Sequence, residues 1–180
     1  MAKILNKNKK YYSALITRFY SLLKDKKKFD VAKYIKLLKR IWDKKDVLII
    51  EGYFSRIGIG NDLFNNTNSI KRIICPSKNA FQVYQKIIKQ VKKLGINKNI
   101  LILIALGSTA SILAYDLSKI GFQAIDIGHT DIEYELYLRK SETIIRIPYK
   151  YVNEARDGKK NINQIKDKNY YKQIIAKILE

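Results

Sequence analysis

Short apolar runs alternate with helical patterns through the middle of the chain. Runs rich in Ile, Leu and Val, each ended by a polar or turn residue, predict buried strands at residues 47–50, 72–75, 100–106 and 122–127. Between them, apolar residues recur every three or four positions, which predicts helices over residues 80–91 and 109–120. Strands that alternate with helices favour an α/β fold with a mostly parallel sheet.

The flanking segments follow other patterns, so the chain divides into three parts. Residues 1–45 are expected to form a basic amphipathic helical segment that packs on the domain, with one helix at about residues 12–23 and a second after Asp30. Residues 46–150 form the α/β core, in which residues 143–147 are expected to add a short β-segment. Residues 151–180 form a tail rich in Asn, Lys and Asp and, over residues 170–179, an amphipathic terminal helix.

The helix predicted after Asp30 has one apolar and one basic face. Asp30 is a typical N-cap residue. Apolar residues then follow at helical spacing, while Lys33, Lys36, Lys39 and Arg40 take the other face. The favoured interpretation is that the helix covers the sheet and shows its lysines to water. A membrane-surface role is the alternative.

The net charge of +20 in 180 residues suggests a polyanionic partner, but the composition weakens that interpretation. Lys, Ile, Asn and Tyr supply 85 of the residues, and all four have A/T-rich codons. Only 7 of the 36 basic residues are Arg, the residue that nucleic-acid readers favour. Residues 1–45 hold 15 basic and 3 acidic residues, a net +12. We therefore expect no nucleic-acid partner, and we keep a basic nucleic-acid-binding module as an alternative.

Cysteine content and hydropathy indicate a cytoplasmic protein. Cys75 is the only cysteine and cannot form an internal disulfide, and the first residues are charged rather than typical of a secretion signal. The longest strictly apolar run has seven residues, at 100–106, whereas a membrane-spanning helix needs about 20. A peripheral position at the inner face of the membrane agrees with both observations.

Ligands of open parallel sheets bind beyond the carboxyl ends of the strands, which directs attention to three loops. The first, residues 51–64, holds Glu51, Arg56, an Asn-Asp pair and three glycines, which let backbone approach a ligand closely. It lacks the third glycine of a dinucleotide fingerprint.

The second loop turns through Gly107 into a helix opened by Ser108 and Thr109, where free N–H groups would bind a phosphate. The alternative is that these hydroxyls only cap the helix.

The third loop, residues 126–135, crowds four carboxylates and the only histidine into ten residues. Asp131 and Glu133 offer hard oxygen ligands for Mg²⁺ or Mn²⁺. The alternative is a helix N-terminus that carries acids to suit its dipole. His129 has no Cys or second His near it in the sequence, so a structural zinc site is not expected, and the histidine could equally be a hydrogen-bonded strut.

Four segments in order resemble the GT-D type glycosyltransferases, a family first described as a domain of unknown function. They are EGYFSRIGIGNDLF (51–64), IKRIICPSKNAF (70–81), LILIALGSTASILAYDLSKIG (101–121) and AIDIGHTDIEYE (124–135). The resemblance covers residues 12–140. It implies a single Rossmann-like α/β domain with helices on both faces, a UDP-hexose donor and a Mn²⁺ or Mg²⁺ ion held by Asp131 and Glu133. Ser108 stands where the family often has proline, and residues 18–20 lack the acidic and glycine residues that follow the equivalent arginine in many members.

The resemblance also gives the three loops chemical roles. The metal and the turn at residues 107–109 would neutralise the leaving diphosphate. Around the donor, Arg56 would bind a phosphate, Gly60 would let the backbone approach, and Asn61 and Asp62 would bind ribose and sugar hydroxyls. If transfer inverts the anomeric centre, the base is Glu51 or His129, and the sequence does not choose between them.

The resemblance further implies a setting in bacterial surface-glycan and polysaccharide biosynthesis. The acceptor hydroxyl would then belong to a glycan, a glycoprotein or a lipid-linked molecule. A Rossmann-fold methyltransferase or dehydrogenase, using another nucleotide cofactor, is the remaining alternative.

Overall fold

One parallel five-stranded sheet organises the part of the chain that the computed structural model describes, residues 8–10, 16–26, 28–160 and 162–179. The strands are β1 (Asp46–Gly52), β2 (Ser69–Cys75), β3 (Leu101–Ala105), β4 (Gln123–Asp126) and β5 (Ile174–Lys177). Their order in the sheet is β4-β3-β1-β2-β5. The helices are α1 (Val31–Lys39), α2 (Tyr84–Lys93, after a 3₁₀ turn at Ala80–Val83), α3 (Thr109–Lys119), α4 (Thr130–Leu138) and α5 (Lys168–Gln173).

Side chains alternate across the sheet, and each face carries its own helices. In β1, Leu48 and Ile50 pack in a cluster with residues of α2 and α3, while Val47 and Ile49 pack on the opposite side with residues of α1 and α4. All four side chains are fully buried, because successive residues of a strand point to opposite faces. The prediction of an α/β fold with a parallel sheet and helices on both faces is confirmed.

The strand order leaves a crevice at one end of the sheet. β1 is central, the chain passes from it to β2 on one side, and it then crosses to β3 on the other side. The loops that follow β1 and β3 therefore run in opposite directions over the sheet. This reversal is the position where ligands bind in open α/β sheets.

The N-terminal helix begins where the sequence predicts it. The Asp30 carboxylate accepts a hydrogen bond from the Lys33 N–H at 2.9 Å, which is the expected N-cap contact. Val31 and Ile35 are buried against the core, and the fully buried Trp42 donates its indole N–H to the Leu63 carbonyl at 3.0 Å. This segment is thus held on the sheet through one face of α1.

The prediction of a helix at about residues 12–23 is wrong for residues 16–23. Residues 11–15 lie outside the described residues. Residues 16–23 form turns. The N–H groups of Tyr20 and Ser21 both donate to the Glu133 carboxylate, at 2.9 and 2.6 Å. A distant acid thus takes the backbone donors that a helix would use, and no local sequence pattern reports it.

Two further elements differ from the sequence-based expectation. No strand forms at residues 143–147, where Ile147 instead packs in a small cluster with Val152 and Ala155. The helix expected over residues 170–179 ends at Gln173, and β5 follows it. β5 pairs with β2, whose outer edge would otherwise present unpaired backbone groups.

A buried ion pair joins the central strands to the C-terminal segment. Arg72 donates to the Glu51 carboxylate at 2.6 Å, to the Ile57 carbonyl at 2.9 Å and to the Gln173 side chain at 2.7 Å. Its guanidinium also lies 4.9 Å from the centroid of the Tyr170 ring. Burial raises the pKa of Glu51, and the charge of Arg72 opposes that shift. The arginine therefore both compensates a buried carboxylate and fixes the start of β5.

Replacing Arg72 with Ala should lower the free energy of unfolding by about 3–5 kcal/mol, because it leaves the Glu51 carboxylate buried without its cation. Urea denaturation measures the effect. The matched control is Arg156→Ala, which removes an exposed arginine and should change the same free energy by no more than about 0.5 kcal/mol. Equal losses in the two variants would show that the pair contributes nothing specific.

Candidate functional site

A cavity of about 520 Å³ opens at the carboxyl ends of the strands, where the strand order places a ligand site. The loops after β1, β2, β3 and β4 all contribute to its wall, and a segment of the C-terminal tail closes one side. The lining residues include Gly52, Ser55, Ser77, Lys78, Phe81, Gly107, Ser108, Thr109, His129, Asp131, Tyr151, Asn153 and Glu154. Of the residues named from the sequence, five meet here: Gly107, Ser108, Thr109, His129 and Asp131.

The turn after β3 presents the N-terminus of α3 to this cavity. Gly107 has a φ of +56°, which disfavours other residues, and a Cβ placed on it would meet no protein atom within 4 Å. Ser108 occupies the N-cap position without a side-chain capping hydrogen bond. Gly107 and Ser108 are thus exposed at the cavity wall, at a helix N-terminus of the kind that binds anions.

His129 forms a cluster with two residues from distant parts of the chain. Its Nε2 lies 2.9 Å from the Arg18 guanidinium and 3.0 Å from the Glu154 carboxylate, and Arg18 donates to the same carboxylate. Burial alone would raise the pKa of Glu154, but the hydrogen bond from Arg18 and the charge of His129 bring it below its usual range. The imidazole, 37% exposed, is thus held at the cavity wall between a cation and an ionised carboxylate.

Asp131 is held by several donors at the cavity floor. One oxygen accepts from the Gly58 N–H at 2.9 Å and from the Asn61 amide at 3.0 Å, and the other accepts from Lys150 at 2.7 Å. Lys150 is fully buried and also donates to Glu135 at 3.0 Å. Burial alone would raise the pKa of Glu135, yet the Lys150 charge and the Asn61 amide lower it below its usual range. One buried ammonium therefore bridges these two carboxylates, and Glu135 also accepts from Arg139 at 3.1 Å.

Glu133 serves another part of the molecule. Its oxygens accept from the N–H groups of Tyr20 and Ser21 and from the Ser21 hydroxyl. Residues two apart on a helix point about 200° apart, so Asp131 and Glu133 face different neighbours. The pair does not fit a metal ion held by both carboxylates. Throughout the described part of the chain, no group of three or more His, Cys, Asp and Glu side chains is arranged to hold a metal ion.

Two other predicted site residues are engaged in packing away from the cavity wall. Glu51 is fully buried, and its oxygens accept from Arg72 and from the Ile57 N–H at 2.7 Å. Arg56, expected at a phosphate, donates to the carbonyls of Tyr149 and Asn163 at 2.8 and 2.5 Å. Arg56 thus links the first loop to the C-terminal part of the chain through these hydrogen bonds.

The remaining first-loop residues line a second cavity, of about 410 Å³, instead of the first. Gly60 has a φ of +79°, and a Cβ there would collide with the Tyr149 side chain, so tight packing accounts for this glycine. Asn61 holds Asp131, and Asp62 accepts from Lys39 at 2.8 Å and from Tyr134. The structure does not bring Gly60, Asn61 and Asp62 together with the turn at Gly107.

Lys78, Phe81 and Glu154 are cavity residues that received no role from the sequence. Lys78 and Phe81 follow β2, and both side chains are exposed at the cavity wall. Phe81 is 59% exposed although it is aromatic, and its ring stacks beside Tyr84 at 5.3 Å. The position of Lys78 and Phe81 directly after a predicted strand is the sequence feature that could have identified these two.

Replacing Lys150 with Ala should lower the free energy of unfolding by about 3–5 kcal/mol, because Asp131 would stay buried without its cation and Glu135 would keep only Arg139. Chemical denaturation of wild type and variant measures it. Lys89→Ala, which removes an exposed lysine, is the control and should unfold like the wild type. An unchanged unfolding midpoint in Lys150→Ala would contradict the assigned ion pairs.

Curated relatives match almost all of this chain. It is 41% identical over 169 residues to "Glycosyltransferase GlyD" of Streptococcus pneumoniae serotype 4 and 42% identical over 170 residues to "Probable glycosyl transferase Gly" of Streptococcus gordonii. Each alignment covers 94% of this chain but only 20% and 24% of the two proteins. The chain thus spans a quarter or less of the length of these relatives.

Solved structures and a family model agree with that similarity. The chain superposes with a TM-score of 0.85 on "A New Glycosyltransferase (DUF1792) from Streptococcus sanguinis", at 40% identity over 92% of this chain and 60% of that one. The TM-score is also 0.85, at 42% identity over 93% of this chain and 58% of the other, for the structure described as "The highly conserved domain of unknown function 1792 has a distinct glycosyltransferase fold". The model of the family described as "Glycosyltransferase GT-D fold" matches residues 1–155. The chain therefore belongs to the GT-D glycosyltransferase family.

Proposed function

We propose that this chain transfers a hexose from a UDP-sugar to a hydroxyl of a glycan, glycoprotein or lipid-linked acceptor in bacterial surface polysaccharide biosynthesis. The observation that carries the proposal is the cavity at the carboxyl ends of the strands, walled by the open turn at Gly107, in a chain of the GT-D family. A volume of about 520 Å³ lies in the range typical of small-molecule sites. The proposed setting is cytoplasmic.

The donor is proposed to lie between the turn after β3 and the loop after β2. Its diphosphate would meet the N-terminus of α3 at Gly107 and Ser108, where N–H groups and the helix dipole favour an anion. The exposed ammonium of Lys78 supplies a positive charge on the facing wall. The Phe81 ring offers an apolar face on which the uracil can stack. These residues together match the diphosphate and the base of a nucleoside diphosphate.

For a transfer that inverts the anomeric centre, His129 is the proposed general base. It lies at the cavity wall, partly exposed, where an acceptor hydroxyl can reach it. Glu51, the other candidate, is fully buried with both oxygens engaged. The proton of the acceptor hydroxyl would pass to the imidazole as the oxygen attacks the anomeric carbon and the diphosphate leaves. Glu154 acts as the positioning residue that orients the ring.

The Mn²⁺ or Mg²⁺ dependence stays a prediction from the family resemblance. Because Asp131 and Glu133 do not fit one ion held between them, no step of the proposed reaction passes through a metal. Transfer assays in EDTA and with added Mn²⁺ measure the dependence directly.

Gly107→Val should weaken UDP binding by about tenfold or more, since the side chain would project into the cavity and hold the phosphate off the backbone. Isothermal calorimetry measures the binding of UDP to the wild type and to the variant. Separate titrations of the wild type with S-adenosylmethionine and NAD test the alternative ligand classes.

Gly95→Val is the matched control for this experiment. Gly95 has a φ of +55°, and a Cβ there also meets no protein atom within 4 Å, so both variants carry the same backbone strain of about 1–2 kcal/mol. Gly95 lies outside the cavity, and its variant should bind UDP like the wild type. Equal UDP affinities in the two variants would make the Gly107 turn purely structural, and wild-type binding of NAD or S-adenosylmethionine without UDP would overturn the donor.

His129→Gln should lower kcat by about 10²- to 10⁴-fold with little change in KM for the UDP-sugar, as expected for loss of a general base. Glu51→Gln should instead lower the free energy of unfolding while the folded molecules keep their kcat. Glu154→Ala should lower kcat less than His129→Gln does and leave KM for the UDP-sugar little changed, because the imidazole loses only the carboxylate that orients it. A loss of kcat in Glu51→Gln but not in His129→Gln would transfer the base role to Glu51.

A further inference from the structure

The outward face of α1 and the turn after it combine basic and apolar side chains. Lys33, Lys36, Leu37, Arg40 and Ile41 follow the i, i+3, i+4, i+7, i+8 spacing that places residues on one side of a helix. Leu37 is 52% exposed and Ile41 is 38% exposed. Two large apolar side chains therefore stand in water at the centre of a basic stripe. We refer to these five residues as the outer stripe.

The outer stripe contributes little to holding α1 on the domain. The opposite side of the helix does so, through the buried Val31 and Ile35, and the buried Trp42 follows directly after it. Packing on the core therefore accounts for the apolar residues on one face of α1 but not for the exposed Leu37 and Ile41. An exposed apolar group within a basic surface marks a contact surface rather than a folding requirement.

The surface extends into residues 16–23 and reaches the rim of the donor cavity. Ile16 is 60% exposed and Leu22 is 51% exposed, and the Tyr34 hydroxyl of α1 donates to the Ile16 carbonyl at 2.7 Å. Arg18 lies between these two apolar residues and contacts His129 at the cavity wall. Whatever binds the outer stripe and this segment is therefore brought next to the cavity.

The charge of the segment selects an anionic occupant. Residues 1–45 carry a net +12 of the total +20, and one of their three acids, Asp30, is used as the helix cap. A nucleic acid would engage the positive charges but would gain little from exposed leucine and isoleucine side chains. A bilayer with anionic headgroups engages both, since lysines attract the headgroups while the apolar side chains enter the interface.

We infer that the outer stripe, together with Ile16 and Leu22, docks on an anionic lipid bilayer. No helix in the described ranges is long and apolar enough to cross a membrane, so the contact is peripheral. The inference rests on this surface alone and not on the proposed donor. Docking would hold the cavity rim beside the headgroups, where a lipid-linked acceptor presents its hydroxyl.

Sedimentation with lipid vesicles tests the docking surface. The full chain should sediment with vesicles of phosphatidylglycerol mixed with phosphatidylcholine and not with vesicles of phosphatidylcholine alone, and added salt should weaken the binding. The triple variant Lys33→Gln/Lys36→Gln/Arg40→Gln should bind about a hundredfold more weakly, from three charges lost at the membrane.

The matched control removes three charges from another exposed helix face. Lys89→Gln/Lys92→Gln/Lys93→Gln on α2 loses the same net charge and should bind like the wild type. Leu37→Ser/Ile41→Ser keeps every charge and should nevertheless bind more weakly. UDP titration of all three variants should match the wild type, so a failure of the donor proposal would be seen separately.

Three outcomes would overturn the inference. The first is no sedimentation of the wild type with the anionic vesicles at low salt. The second is an equal loss in the two triple variants, which would mean that net charge alone governs binding. The third is wild-type binding by Leu37→Ser/Ile41→Ser, which would leave the apolar residues without a role at the membrane.

Discussion

The buried ammonium of Lys150 is the contact on which the arrangement of the site depends. A charge in the interior is tolerated only when other groups compensate it, and here Asp131 and Glu135 do so at 2.7 and 3.0 Å. Those carboxylates lie on α4, so the ion pairs fix the tail against that helix. The residues directly after Lys150, from Tyr151 to Glu154, then close one side of the cavity. This anchor and the contacts from Arg18 together place Glu154 beside His129.

The strands and helices of the core could be predicted from the sequence because their signals are local. A short run of apolar, β-branched residues such as 47–50 is typical of a strand that is buried on both faces. Gly107 marks the turn that follows β3. The contacts that could not be predicted join side chains from different elements, some of them more than 100 positions apart. Ser21 with Glu133, and Arg18 with Glu154, leave no periodic pattern in either partner. The pairing of β5 with the edge of β2 is non-local as well, and it explains why residues 174–177 form a strand and not the end of the expected helix.

The first loop and the acidic cluster show why residue type alone was a poor guide to the site. Glycines and carboxylates gather at ligand sites, but they also gather where a loop packs tightly on buried charges. Gly60 makes room for Tyr149, and Asp131 compensates Lys150. At Gly107, by contrast, the missing side chain faces open space. Free volume alone does not identify a ligand-facing turn, since Gly95 also faces open space, so it is the position of Gly107 on the cavity wall that distinguishes it.

Arg18 connects the two surfaces for which a function is proposed. It holds Glu154 and His129 at the cavity, and it belongs to the turn segment between Ile16 and Leu22. That segment has no helix of its own and takes its conformation from the hydrogen bonds that Glu133 accepts from Tyr20 and Ser21. A partner that docks on this segment contacts the same turn that carries Arg18, which binds the carboxylate beside the proposed base. The same turn segment would then both bring the acceptor to the cavity and help to position the proposed base. Docking at this surface would therefore also favour the arrangement of Arg18, Glu154 and His129 that the transfer requires.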